Sequence, residues 1–340
     1  MKILFIGNPQ QQQEKNRMNA LIAQTSQNGH IVSDQYNGFI KNILAILSIP
    51  FTKTNTIHVH TFQGAMLLNF LQFMVPNQTT MTWTLSSLPT FSSHFQTKLF
   101  QVYLQFLTKL FDRIVAPTRT LQYQLLAIYG IKSLYIPDGY TKPILNDIQP
   151  RQYSLRNNQF GVILSNSIDT ISSIAKLYKA VKSKKKLVVF CESPSKEFKK
   201  LLKDYPFVTP FALPMTSRGA QSIVRTAGFV IIDDPSFSPL LLQAMDANRV
   251  VIATTSPYIE EILGTAGFYY HIDDTAHLSD LMQKSVKNAL IPKYSPSLRA
   301  THHFTWEKTG LEYEHVYMRK TIKYVPFDSI ISKKAFQTAH

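Results

Sequence analysis

Closely spaced polar residues at the ends of apolar runs are where this sequence could do chemistry. His58 and His60 lie two apart in the run Ile57–His60. In a strand, residues two apart project to the same face, so both imidazoles could be offered to a metal. No third ligand is visible to complete such a site, and the spacing favours buried or cleft-lining polar side chains. Asp233-Asp234 follow the apolar run Phe229–Ile232. At the carboxyl end of a strand, such carboxylates could approach a metal or cap the loop. His302-His303 reads as an exposed pair. Cys191, the single cysteine, excludes an internal disulfide framework and a cysteine-rich zinc site. Its place at the end of Leu187–Phe190 reads as a buried structural thiol rather than a nucleophile.

The elements that must position these residues follow from patterning. The 340 residues are 44% hydrophobic and 12% aromatic, enough apolar material for two cores rather than a disordered chain. Strand-length runs are expected at Lys2–Ile6, Ile57–His60, Thr80–Leu85, Arg113–Ala116 and Leu134–Ile136. A second series covers Phe160–Leu164, Leu187–Cys191, Phe207–Thr209, Phe229–Ile232, Val250–Ala253 and Phe268–His271. Helical patterns alternate with them, among them Glu14–Gln27, Phe95–Phe111, Ile171–Lys182 and Pro239–Ala247. Such alternation implies parallel sheets with helices on both faces. Periodicity lapses from Asp138 to Gln159, which reads as a linker. The expected division is residues 1–140, a linker at 141–159, a second domain at 160–305, and a helix and tail at 306–340 packing back on the first domain. Ligands of such domains lie at the carboxyl ends of the strands, here in a central cleft faced by both sheets.

The net charge is +15. Its densest cluster is Lys182-Ser183-Lys184-Lys185-Lys186 with Lys196, Lys199 and Lys200. This reads as a solvated helix-end patch or as a surface drawn to an anionic membrane or acidic partner. Charge alone, without a recognition module, does not make a nucleic-acid binder, and no nucleic-acid partner is expected. No run approaches the ~18 apolar residues of a membrane span. The short apolar start, Met1–Gly7, reads as a first strand rather than a signal peptide. The expected location is cytoplasmic, with peripheral contact to the inner face of a membrane as an option.

Several segments, in order, resemble the family-four retaining glycosyltransferases of the GT-B fold. Phe111-Asp112-Arg113-Ile114-Val115-Ala116-Pro117-Thr118, Tyr129-Gly130-Ile131 and Ile136-Pro137-Asp138-Gly139-Tyr140 resemble the end of that family's first domain. Thr226–Ile232 with Leu240–Met245, Val250–Thr254 with Glu261–Gly267, and Phe304–Lys308 with Tyr313 and Tyr317 are similar to its second domain and closing helix. The resemblance implies an α/β GT-B architecture of two doubly wound Rossmann-like domains. It also implies transfer of a sugar, with retention, from a nucleotide-diphosphate donor to a glycan, lipid or surface-polymer acceptor, without a cofactor or metal.

At the chemical positions the sequence departs from that family. The glutamate pair falls on Pro235 and Gln243, and the glycines between them on Ser236 and Ser238. The first-domain histidine falls on Ser86. The cations after the first strand of the second domain fall near Asn166 and Ile171. The glycine-rich loop after the first strand becomes Gly7-Asn8-Pro9-Gln10. By this resemblance the donor-binding candidates are Gly7, Ser165, Asn166, Ser236, Phe237, Ser238, Leu240 and Gln243, with Ser86 and Gln243 the catalytic candidates. Ser238 could instead be a simple helix N-cap. Two functions stay open: a divergent glycosyltransferase, towards which the reading leans, and a non-catalytic GT-B subunit that binds or stabilises a partner enzyme.

Overall fold

The computed structural model describes the chain apart from residues 7–11, 36–38, 90–92, 142–154, 156, 191–194, 214–216 and 319–340, and apart from the side chains of 12–14, 16, 33–35, 39–41, 50–52 and 94. Gly7, Cys191 and most of the expected linker fall outside the described residues. The chain divides into two compact units, Met1–Gly139 with the segment from Trp306 onward, and Tyr140–Thr305.

The first unit holds strands β1 (Lys2–Ile6), β2 (Ile31–Gln35), β3 (Thr56–Val59), β4 (Thr80–Thr84), β5 (Arg113–Ala116) and β6 (Leu134–Tyr135). They form one parallel sheet in the order β2-β1-β3-β4-β5-β6. Strand side chains alternate between two apolar layers, as a period of two requires. Leu4 and Ile6 pack under α2 (Phe39–Thr52), α3 (Phe62–Phe70), α4 (His94–Thr108) and α5 (Arg119–Tyr129). Ile3 and Phe5 pack under α1 (Gln12–Gln27) and α13 (Trp306–Tyr317). The strand β2 and helix α2 are additions to the expected elements. Ile31 is largely exposed and only Ile31 and Val32 are apolar in β2, so an edge strand left almost no hydrophobic alternation. Pro50 lies inside α2, a residue type that local patterning reads as a helix breaker.

The second unit holds β7 (Phe160–Leu164), β8 (Lys186–Phe190), β9 (Val208–Phe211), β10 (Phe229–Ile232), β11 (Val250–Thr254) and β12 (Phe268–Tyr270). Read as β9-β8-β7-β10-β11-β12, its parallel sheet has the 3-2-1-4-5-6 order of a dinucleotide-type fold. Phe229 and Ile231 face α6 (Ile168–Ala180), α7 (Lys196–Asp204) and α11 (Thr275–Val286). Val230 and Ile232 face α8 (Arg218–Thr226), α9 (Ser238–Asp246), α10 (Pro257–Leu263) and α12 (Pro296–His303).

Local sequence starts these helices. Thr61, Thr118, Ser167, Ser195 and Ser217 sit in extended backbone, and each accepts a hydrogen bond from the amide three residues on. Gly130 ends α5 in the left-handed region at φ 67°, where an L side chain would be strained. His302 and His303 are exposed and occupy the last turn of α12.

Candidate functional site

In an open parallel sheet, ligands bind beyond the carboxyl ends of the strands where the strand order reverses. In the second unit that point lies between β7 and β10. The loops leaving these two strands are Ser165–Ser167 and Asp233–Phe237, and side chains tie them together. Ser165 Oγ donates to Asp233 Oδ2 at 3.1 Å. Asn166 Nδ2 donates to Asp234 Oδ2 at 2.7 Å and to Ser236 Oγ at 3.2 Å. The other Asp234 oxygen accepts from the Ser236 amide at 2.8 Å. That carboxylate, at the residue before Pro235, caps the short 3-10 turn Pro235–Phe237 that leads into α9.

Four of the expected donor-site residues, Ser165, Asn166, Ser236 and Ser238, therefore lie on or beside this junction, but their environments differ. Asn166 and Ser236 are exposed. Ser238 is buried, and Tyr258 Oη donates to its Oγ at 3.3 Å. It makes no side-chain capping bond to α9, so Asp234 rather than Ser238 is the cap of this segment. Phe237 and Leu240, expected at a donor, have their side chains inside the core under α9. Only their backbone is left for a ligand, because the turn that exposes Ser236 rolls the next apolar side chain inward.

Gln243 is also committed within the protein. Its Nε2 donates to the Thr141 carbonyl at 2.7 Å, and its Oε1 accepts from Arg225 Nη1 at 3.2 Å. Arg225 also pairs with Asp246, which accepts from Tyr140 Oη at 2.6 Å. This part-buried network holds the first residues of the unit, Tyr140 and Thr141, against α8 and α9. Glu261 holds Arg299 through its backbone carbonyl at 2.7 Å.

The electrostatics of the junction are acidic. Burial raises the Asp233 carboxyl above the usual range, with Asp234 adding to the rise while Ser165 and Thr170 hydroxyls oppose it. Burial also raises the Tyr270 hydroxyl at the end of β12, helped by the Asp233 charge. Asp233 Oδ1 and Tyr270 Oη are buried without a hydrogen-bond partner among the described residues. Among those residues no lysine or arginine pairs with the junction carboxylates. The arrangement suits a ligand that presents hydroxyls or amides.

The corresponding reversal in the first unit lies between β1 and β3. His60 stands just past β3 there, with Ser86 beyond β4. Ser86 Oγ accepts from Arg17 Nη1 at 2.6 Å. Arg17 also forks onto Asp138, Nε to Oδ1 at 2.5 Å and Nη2 to Oδ2 at 2.6 Å. Arg17 was not singled out in the sequence, although it sits one turn before the buried Leu21 on the inner stripe of α1. An arginine on an apolar stripe is the signal that could have found it.

Beneath this pair, His58 bonds Tyr317 Oη through Nδ1 at 2.6 Å and Thr84 Oγ1 through Nε2 at 2.8 Å. Thr84 Oγ1 in turn bonds Tyr313 Oη at 2.8 Å. His58 is therefore a buried polar residue that pins α13 to the sheet, while His60 is buried with its Nε2 lacking a hydrogen-bond partner among the described residues. Among the described residues no group of three or more His, Cys, Asp or Glu side chains could hold a metal.

Breaking the Arg17 pair should be costly. Arg17 is 5% exposed and Asp138 26%, so Arg17→Met leaves a carboxylate half stranded. We expect a loss of about 2 kcal/mol, below the full penalty for a deeply buried pair because Asp138 reaches water. Ser86→Ala removes one neutral acceptor and should cost under about 1 kcal/mol. Urea unfolding followed by tryptophan fluorescence reports this unit, since Trp83 and Trp306 both belong to it. Equal losses in the two variants would remove Asp138 as the main partner.

No protein-family model matches the sequence, and no curated protein gives a significant match. Solved structures match over most of its length. Sucrose-phosphate synthase from Thermosynechococcus elongatus superposes with a TM-score of 0.68 at 12% identity, over 94% of this chain and 98% of that one. A lipopolysaccharide outer core galactosyltransferase gives 0.62 at 11% identity, over 94% and 100% of the two chains. The fold is GT-B. A protein assigned as a UDP-N-acetylglucosamine 2-epimerase in Listeria monocytogenes shares it, with a TM-score of 0.63 at 12% identity over 96% and 99%. The GT-B frame thus carries more than one reaction, and the side chains at the sheet edges must decide between them.

Proposed function

We propose that this GT-B protein is a divergent glycosyltransferase that moves a sugar, with retention, from a nucleotide-diphosphate donor to a glycan, lipid or surface-polymer acceptor. The observation that carries the reading is the junction of the β7 and β10 loops at the switch point of the second unit. There Asn166 and Ser236 stand exposed beside the start of α9, in a chain that spans the full length of its structural neighbours. The acidic side chains favour contacts to hydroxyls and amides of the donor. The diphosphate would then rely on backbone amides at the α9 terminus. No cofactor enters the proposed transfer, and the work is assigned to the cytoplasmic side of a membrane where such acceptors are built.

A second reading, a non-catalytic GT-B subunit that binds a partner enzyme, is favoured by Gln243. Both ends of its amide are used inside the protein, where the resembled family places a glutamate on the donor.

Calorimetric titration with nucleoside diphosphates and nucleotide sugars separates the two. The enzyme reading expects saturable binding of one nucleotide, reduced at least tenfold by Ser236→Trp. The probe is Ser236 because it is exposed, whereas a tryptophan at the buried Ser238 would disturb the core. A folded protein that binds none of the panel supports the non-catalytic subunit instead.

A further inference from the structure

The helix α4 is apolar on two sides. Its inner side carries Leu104 and Leu107, fully buried against the sheet. Its outer side carries Phe95, Leu99, Val102 and Phe106, which are 74%, 62%, 66% and 54% exposed. Spacings of four, three and four residues place these on one stripe of the helix. The stripe does not stand alone, because α4 packs between α3 and α5. Phe70 at the end of α3 and Phe73 just beyond it are exposed, and so are Tyr123 and Leu126 on α5. A chain that needs only its own core has no reason to place phenylalanines and leucines across the outside of three neighbouring helices.

Charge selects what covers them. From Phe39 to Lys132, the stretch that builds this helical layer, the sequence has seven lysines and arginines and one acidic residue, Asp112. That carboxylate is engaged, accepting from the Met81 amide at 2.8 Å. Lys98 on α4, Lys109 at its end and Lys132 beyond α5 are exposed. A second copy of a chain with net charge +15 would meet this layer with like charge. Apolar side chains among cations, with almost no carboxylates, match the boundary of an anionic bilayer, where apolar groups enter the acyl region and cations stay with headgroups.

We propose that the outer face of α3–α5 docks the protein on an anionic lipid surface, with the α4 stripe inserted. The proposal is independent of the donor site. The surface needs no membrane-crossing segment, and among the described residues no helix is long and apolar enough to cross.

Co-sedimentation of the full chain with vesicles tests it. Binding is expected to vesicles of equal phosphatidylglycerol and phosphatidylcholine, and at least tenfold weaker binding to phosphatidylcholine alone or at high salt. Leu99→Glu with Phe106→Glu should weaken binding to the anionic vesicles at least tenfold. Both positions are exposed, so the tryptophan-reported unfolding of this unit should be unchanged. Lys184→Ala with Lys186→Ala, in the basic cluster of the other unit, should leave binding within about twofold. Undiminished binding by the α4 variant, or loss in the lysine variant alone, overturns the proposal. So does a concentration-dependent dimer of the wild type that the α4 variant abolishes, since a second copy would then be the occupant. Nucleotide binding that persists in the α4 variant keeps the outcome separate from the enzyme reading.

Discussion

Between pH 7 and pH 5 the first unit is expected to lose about 2 kcal/mol of stability from His60, with a further loss of the same sign from His58. Burial, and after it the nearby Arg17, together lower the His60 pKa to about 3. Burial also holds His58 well below its ordinary value, with His60 and Arg17 adding to the effect. The groups around them leave little to stabilise an imidazolium. Phe5 stacks on His60, and Tyr313, Tyr317 and Thr84 surround His58. The Tyr317 hydroxyl is itself raised by burial and stays neutral. Asp138, the carboxylate nearest Arg17, is already taken by that guanidinium.

In the unfolded chain each histidine titrates near 6.5. Above that pH neither state binds the proton, and stability is complete. Below it the unfolded chain takes up protons that the fold refuses, so stability falls as pH falls, down to about 3 for His60. At pH 5 His60 accounts for about 2 kcal/mol, and His58 adds to the loss in the same direction. Urea unfolding at the two pH values, read by tryptophan fluorescence, measures the drop. A His60→Gln variant should show a smaller drop. A variant with the same pH dependence as wild type would show that His60 accepts a proton in the fold, contrary to its burial.

Gly161→Ala is expected to be a strongly damaging single-methyl change in the second unit. Gly161 on β7 pairs in register with Phe229 on β10. A Cβ at Gly161 would lie 2.3 Å from Phe229 Cζ and 2.5 Å from its Cε2, distances that real side chains do not occupy. Phe229 is fully buried, and its ring lies 6.2 Å from that of Tyr178, so it cannot turn aside without repacking the layer under α6. Overpacking of this kind costs about 3 kcal/mol, or about 10 °C in Tm for a unit of this size. Circular dichroism melting gives the number. Adding Phe229→Leu to Gly161→Ala should recover stability even though Phe229→Leu alone lowers it. Simple addition of the two losses would mean that the ring and the methyl group never meet.

The sequence made the site legible in some places and misled in others for identifiable reasons. Ser165, Asn166 and Ser236 could be placed together because each follows a strand with a clear apolar run, and strand ends of a parallel sheet share one edge. Phe237 and Leu240 follow the same logic by position. Their side chains nevertheless turn inward, because a 3-10 turn capped by Asp234 rotates them under α9. Gln243 kept its place on the helix, but its partners Thr141 and Arg225 come from other segments.

Local patterning by itself determined the two parallel sheets, the helices between them and the order of motifs. Periods of 2 and 3.6 residues and capping hydroxyls act over a few residues, so they can be read along the chain. The edge strand β2 escaped because an exposed strand needs little apolar alternation. Only the tertiary structure decided which polar groups are spent on holding the fold and which face solvent. Arg17 finds Asp138 across 121 residues and Ser86 across 69. Gln243 finds Thr141 across 102. Hydrogen bonds are short-ranged in space and indifferent to sequence distance, so a polar side chain's role is undefined until folding has chosen its neighbours. The same holds for α4, whose two apolar sides look alike in sequence until the sheet buries one and leaves the other exposed.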